Sequence, residues 1–120
     1  MLSLMPGACG RATAPVPAVH NVDIAQQIAD STAPFLLDVR SPEEYREGHI
    51  PGAVNIPYDE LEQRLAEVSA GKEDEIVVYC RSGRRAGIAE AFLLAAGYKN
   101  VKDLDGHMLS WTAAGLVTEK

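Results

Sequence analysis

One cysteine stands among three arginines in the segment Cys80-Arg81-Ser82-Gly83-Arg84-Arg85 of this 120-residue chain. A cysteine thiolate is a strong nucleophile, and guanidinium groups attract anions. Three of the chain's seven arginines lie in this segment, although the chain as a whole carries a formal net charge of −6. A basic loop on an acidic chain favours a small anionic ligand, and the acidic balance argues against nucleic acid as a partner.

The residues on either side of this segment predict a strand before it and a helix after it. Residues 75–79 form a β-branched, apolar run typical of a buried strand. Residues 86–96 form an apolar helical pattern that ends at Gly97. Cys80 therefore lies at the carboxyl end of a strand, where ligands bind in open α/β sheets. Backbone N–H groups at the start of the following helix favour the thiolate over the thiol, and Gly83 lets the chain curl. We expect a shallow cradle of N–H groups with a nucleophilic sulfur at its base.

Strands and helices alternate along the rest of the chain, which indicates an α/β fold with a parallel sheet. Apolar runs at 35–39 and 101–104 predict two further buried strands, and the first delivers Asp38 and Arg40 to its carboxyl end. Helical patterns are also predicted over residues 21–29 with Asn21 as the N-cap, in a brief segment after Ser41, and over the amphipathic segment 59–69.

The length fits one domain over residues 19–120, preceded by a lead-in of residues 1–18 that is rich in proline, glycine and alanine. We predict that the lead-in is unstructured or, alternatively, is the remnant of an export signal. We expect the protein to lie in the cytoplasm, or in the periplasm if the lead-in is the remnant of an export signal. No apolar run is long enough to span a bilayer, so no membrane partner is expected. Cys9 is not expected to pair with Cys80, and no spacing predicts a metal or cofactor site.

Four segments, in order, resemble the signatures of the rhodanese family. They are Asp38-Val39-Arg40, residues 43–57, residues 80–86 and residues 104–111. The resemblance covers about residues 19–116 and implies a rhodanese-like α/β fold with a five-stranded parallel sheet and helices on both faces. The closing segment departs from the family's usual Gly-Gly, because His107 occupies the second position. We interpret His107 as the start of a surface helix.

The resemblance implies an enzyme, a thiosulfate sulfurtransferase that works by double displacement without a cofactor. Cys80 would take the outer sulfur of thiosulfate or of a persulfide donor and pass it to cyanide or a thiol, including a thiol of a redox protein. Arg81 and Arg84 would meet the anionic donor, and Arg85 would hold the loop in place. Asp38 and Arg40 would support the loop from the neighbouring strand. The full set of implied loop residues is Arg81, Ser82, Gly83, Arg84 and Arg85.

Two alternatives remain open from the sequence. Small phosphatases and arsenate reductases also place a cysteine and an arginine around an anion, but their loops hold one residue more between the two. Four residues separate Cys80 from Arg85 here, which makes a smaller cradle suited to sulfur rather than to a phosphoryl group. The second alternative is a non-catalytic, rhodanese-like binding module, a class that lacks the cysteine this chain retains.

Overall fold

The structure is a computed structural model that describes residues 16–120. In that range five strands alternate with four helices: β1 (Ala18–Val19), α1 (Asn21–Ala29), β2 (Phe35–Asp38), α2 (Pro42–Glu47), β3 (Val54–Asn55), β4 (Ile76–Tyr79), α3 (Arg84–Ala95), β5 (Val101–Leu104) and α4 (His107–Ala113). The prediction for the lead-in falls almost entirely outside the described residues. No helix in residues 16–120 is long and apolar enough to cross a membrane.

All five strands run parallel in one sheet of order β1-β5-β4-β2-β3. Strand β4 is the central strand, and all four of its residues are buried. It pairs with β2 on one side, where Asp38 lies opposite Tyr79, and with β5 on the other. The carboxyl ends of these three strands therefore meet at one edge of the sheet, which is where Cys80 begins the basic loop. The predicted five-stranded parallel sheet is confirmed.

The side chains of β4 alternate between two hydrophobic clusters, as the two-residue period of a strand requires. Ile76 and Val78 pack with the buried face of α3 in one cluster. Val77 and Tyr79 pack with residues of α1 and α4 in the other. Helices therefore cover both faces of the sheet, as the sequence predicted. Fully buried strands in such a three-layer arrangement hold the end of β4 rigidly in place.

Three of the predicted helices differ from the structure. Asn21 is the first residue of α1, and His20 is the N-cap without a side-chain hydrogen bond. The segment 59–69 forms two 3₁₀ turns, Tyr58–Glu60 and Leu65–Glu67, because the chain leaves the helical conformation at Arg64 with φ −115° and ψ 19°. Helix α3 starts two residues earlier than predicted, so that Arg84 and Arg85 form its first turn.

Candidate active site

The thiol of Cys80 lies directly beyond the end of β4 and is 1% exposed. Burial alone is typical of an inert structural cysteine. The surroundings of this sulfur are different, however, because Sγ accepts hydrogen bonds from the N–H groups of Gly83, at 3.0 Å, and of Ala86, at 3.4 Å. Donors of this kind favour the thiolate, which is the nucleophilic form. Cys80 forms no disulfide with any described residue, and Cys9 lies outside the described range.

The first two carbonyl groups of the loop accept hydrogen bonds from helix α4. Met108 N–H donates to the Cys80 carbonyl at 3.0 Å, and Leu109 N–H donates to the Arg81 carbonyl at 3.2 Å. Helix α4 thus uses the unpaired N–H groups of its first turn to bind the loop. Gly83 takes a φ of +129°, a conformation that side chains rarely adopt. Four backbone N–H groups of the loop have no acceptor within residues 16–120, namely those of Arg81, Ser82, Arg84 and Arg85.

The three arginines of the loop have different surroundings. Arg81 and Arg84 are exposed, and neither forms an ion pair with a carboxylate of residues 16–120. Arg85 is about three-quarters covered and binds Glu44 of α2 through two hydrogen bonds, of 2.7 Å and 3.1 Å. Arg84 and Arg85 both lie in the first turn of α3, where cations oppose the positive end of the helix dipole. Glu44 offsets this cost for Arg85, whereas Arg84 has no carboxylate partner in residues 16–120, and an anion bound here would offset it.

Glu44 of helix α2 links this helix to α3 through its ion pair with Arg85. Its Oε1 also accepts hydrogen bonds from the N–H and the hydroxyl of Ser41, while its own N–H donates to the Ser41 hydroxyl. These bonds form a capping box at the start of α2. The hydrogen bonds from Arg85 lower the pKa of Glu44 to about 2, against the opposing effect of partial burial. Glu44 is therefore a carboxylate at neutral pH and a fixed partner for Arg85.

Asp38 and Arg40 form a buried ion pair at the end of β2. Nη2 of Arg40 lies 2.7 Å from Oδ2 of Asp38 and also donates to the Gly48 carbonyl at 2.9 Å. Burial opposes the charge of Arg40, but the hydrogen bond and the charge of Asp38 raise its pKa. The guanidinium carbon lies 5.6 Å from the ring centre of Tyr79, the residue before Cys80. The pair thus contacts the strand that carries the cysteine, and its role in supporting the loop stays a prediction.

Sequence reasoning missed a group of buried polar residues beneath the loop. His107 was interpreted as a surface helix start, and this is wrong: the residue is 5% exposed. Its Nδ1 accepts the Cys80 N–H at 3.2 Å, and its Nε2 lies 3.3 Å from Oδ2 of Asp103. Glu90 of α3 is 6% exposed. The available signal was Glu90, a single acidic residue in the otherwise apolar segment 86–96.

Two open clefts lie at opposite ends of the sheet. One, of about 540 Å³, borders the loop between α2 and α4, with Arg40, Glu47, Arg81, Met108, Leu109 and Thr112 in its lining. The other, of about 550 Å³, contains Phe35 and Glu75 at the amino ends of β2 and β4, and no residue of the loop. Of these two, the first borders the Cys80 loop, and a smaller cleft of about 250 Å³ contains Arg85. In residues 16–120, no group of three or more His, Cys, Asp or Glu side chains is placed so that it could hold a metal ion.

The chain is similar to known proteins in sequence and in fold. The model of the rhodanese-like domain family matches residues 21–114. A sulfurtransferase from Allochromatium vinosum is 35% identical over 98 residues, which cover 82% of this chain and 90% of the relative. Thiosulfate sulfurtransferase 16 from the chloroplast of Arabidopsis thaliana is 37% identical over 116 residues, which cover 87% of this chain and 94% of the relative. The crystal structure of a rhodanese-related protein from Thermoplasma volcanium superposes on this chain with a TM-score of 0.73 and 29% sequence identity. The superposition covers 86% of this chain and 97% of the Thermoplasma chain.

Proposed function

The chain belongs to the rhodanese-like domain family, a family of sulfur-transfer proteins, and from this membership we propose that it is a thiosulfate sulfurtransferase with Cys80 as the nucleophile. The observation that carries the proposal is the pair of N–H groups, from Gly83 and Ala86, that donate to the Cys80 sulfur. The names of the relatives support sulfur transfer in general, and one of them names thiosulfate.

In the proposed first step the Cys80 thiolate attacks the outer sulfur of thiosulfate. A new S–S bond forms, the S–S bond of thiosulfate breaks, and sulfite leaves with the bonding electron pair. The enzyme then carries a persulfide anion on Cys80. The loop N–H groups for which no acceptor is recorded in residues 16–120 are available to this outer sulfur, as fixed dipoles that stabilise negative charge.

In the second step an acceptor nucleophile removes the outer sulfur. Cyanide attacks it to give thiocyanate, or a thiolate attacks it to give a new persulfide, and in either case the Cys80 thiolate leaves with the electron pair. Sulfite leaves in the first step and the Cys80 thiolate leaves in the second, each as an anion, so neither leaving group has to be protonated as it departs. Neither step requires a metal, a redox cofactor or a general acid.

Arg81 and Arg84 are proposed to attract the thiosulfate dianion, because they are the two arginines of the loop without a carboxylate partner in residues 16–120. Arg85 is already neutralised by Glu44 and is proposed to hold the loop. The nearly complete burial of Cys80 favours a donor that presents a terminal sulfur, as thiosulfate does, over a bulky electrophile.

The test is steady-state formation of thiocyanate from thiosulfate and cyanide. We expect turnover by the wild type and a KM for thiosulfate that rises roughly three- to tenfold in Arg81→Ala and in Arg84→Ala, with a smaller effect at high salt. The matched control is Arg46→Ala, which removes an exposed arginine paired with Glu43 outside the loop. Hydrolysis of an aryl phosphate without thiocyanate formation would overturn the proposal in favour of a phosphatase.

A further inference from the structure

The imidazole of His107 lies beneath the Cys80 loop and contacts it at two points. Nδ1 accepts the backbone N–H of Cys80 at 3.2 Å. A Cβ atom built on Gly83 would meet Nε2 at 3.2 Å, so the ring also packs closely against the glycine of the loop. The N–H groups of Met108 and Leu109, the next two residues, bind the first two carbonyls of the loop. The first turn of α4 therefore holds the cysteine by its amide and its carbonyl.

The backbone of His107 is in a strained conformation. Its φ is +54°, and among residues 16–120 Ser31 is the other non-glycine residue with a positive φ. Such a conformation costs on the order of 1 kcal/mol for a residue with a side chain, and persists where surrounding contacts hold it. Glycine would take this conformation without strain, so the presence of an imidazole indicates that the ring itself contributes an interaction.

Two acidic side chains, Asp103 and Glu90, lie next to one another on the Nε2 side of His107. Oδ2 of Asp103 in β5 lies 3.3 Å from Nε2 of His107. Glu90 of α3 lies close to Asp103, and its buried Oε2 has no hydrogen-bond partner among the described residues. Burial and the interaction with Asp103 raise the pKa of Glu90 to about 10, so Glu90 is a neutral acid. Burial opposes ionisation of Asp103, but hydrogen bonds from His107 and Glu90 lower its pKa, so Asp103 is a carboxylate.

These contacts assign the tautomer of His107. A carboxylate at Nε2 accepts a proton carried there, which leaves the lone pair on Nδ1 for the Cys80 N–H. The titratable groups that face the ring are Cys80 from the loop, Asp103 from β5 and Glu90 beyond it from α3. Protonation of Nδ1 would set two N–H groups against each other across 3.2 Å. The Cys80 amide would then lose its acceptor, and the loop would have to move.

We propose that His107 is a positioning residue for sulfur transfer, which holds the Cys80 amide through Nδ1 while the proton on Nε2 faces Asp103. The proposal rests on the proposed function of Cys80. It predicts that sulfur uptake by Cys80 needs a hydrogen-bond acceptor at the position of Nδ1.

The test is the rate of Cys80 persulfide formation from thiosulfate in a single turnover, which keeps the acceptor step with cyanide out of the measurement. His107→Asn is the conservative variant, because asparagine tolerates a positive φ and its Oδ1 can accept the Cys80 N–H. We expect it to retain the wild-type rate within roughly threefold.

His107→Gly is the complementary variant, because it relieves the backbone strain but leaves the Cys80 N–H without its acceptor. We expect a loss of roughly tenfold in rate, with the thiosulfate KM changing less than the maximal rate. A His107→Gly enzyme with the wild-type rate, or a His107→Asn enzyme as slow as His107→Gly, overturns the positioning role and leaves the proposed function intact.

A second readout separates this proposal from the proposed function. The imidazole nitrogen shifts, measured by NMR, report whether the proton lies on Nε2, and the Cys80 amide shift reports the hydrogen bond to Nδ1, both without any sulfur donor. A His107 ring that carries its proton on Nδ1 refutes the hydrogen bond from the Cys80 amide. A wild type that shows the Nε2–H tautomer and the hydrogen bond but forms no persulfide refutes the proposed function, and the role in sulfur transfer with it.

Discussion

The ion pair between Glu44 and Arg85 gives a prediction whose size can be worked from the structure. Glu44→Gln removes the negative charge but keeps an oxygen at the N3 position of the capping box, where glutamine also serves. The pKa of Glu44 lies at about 2, against 4.5 for the free side chain. That difference corresponds to at most about 3 kcal/mol. Both side chains are about a quarter exposed, so solvent screening reduces the expected loss in unfolding free energy to about 1–2 kcal/mol at neutral pH.

The sign of the pH dependence follows from the direction of the shift. A carboxyl whose pKa is lowered in the folded state stabilises the protein above its unfolded pKa, and that contribution is lost as the pH falls through 4.5 towards about 2. The difference in unfolding free energy between wild type and Glu44→Gln is therefore largest at neutral pH and decreases in acid.

The measurement is urea denaturation of both proteins at neutral pH and at about pH 3. The control is Glu43→Gln, which removes the neighbouring carboxylate from an exposed pair with Arg46 at 3.8 Å, and for which we expect no measurable change. Equal stability of wild type and Glu44→Gln at neutral pH, or a difference that does not shrink in acid, would refute the reasoning.

Two further predictions concern the loop and the group beneath it. Gly83→Ala places a Cβ at 3.2 Å from His107 in a backbone with φ +129°, so we expect a loss of about 1–3 kcal/mol in unfolding free energy. Gly87 lies within α3, and a Cβ built there meets open space, so we expect Gly87→Ala to raise the unfolding free energy by up to about 1 kcal/mol. The unfolding free energy of both variants is measured by urea denaturation. Glu90 holds its proton up to about pH 10 when folded, so its contribution to the unfolding free energy falls as the pH rises from 4.5 to about 10. Glu90→Gln should lack this fall, and a pH-independent difference from wild type would contradict the assignment.

The parts of the fold that depend on local sequence could be predicted. The apolar runs that became β2, β4 and β5 are short, rich in buried side chains and bounded by turn residues, so their type and order followed directly. Cys80 could be placed at a strand end, because the strand before it and the helix after it are both strongly patterned. The 3₁₀ turns at 58–67 could not be predicted, because the spacing of their apolar residues also fits a helix.

The parts of the site that depend on long-range contacts could not be predicted. Glu44 and Arg85 are 41 residues apart, and Cys80 and His107 are 27 apart, so nothing local indicates either contact. His107 looked like a surface residue because histidine at a helix start is usually exposed. Its burial is a consequence of the sheet order, which places β5 and the start of α4 beside the end of β4.

The most direct test of sulfur transfer by Cys80 is the intact mass of the protein after incubation with thiosulfate and removal of the excess. We expect the wild type to gain about 32 Da, the mass of one sulfur atom, and to lose it on addition of cyanide. Cys80→Ser should gain nothing, even though it retains Cys9. A wild type without the adduct, or an adduct that survives Cys80→Ser, would contradict the assignment of Cys80 as the sulfur carrier.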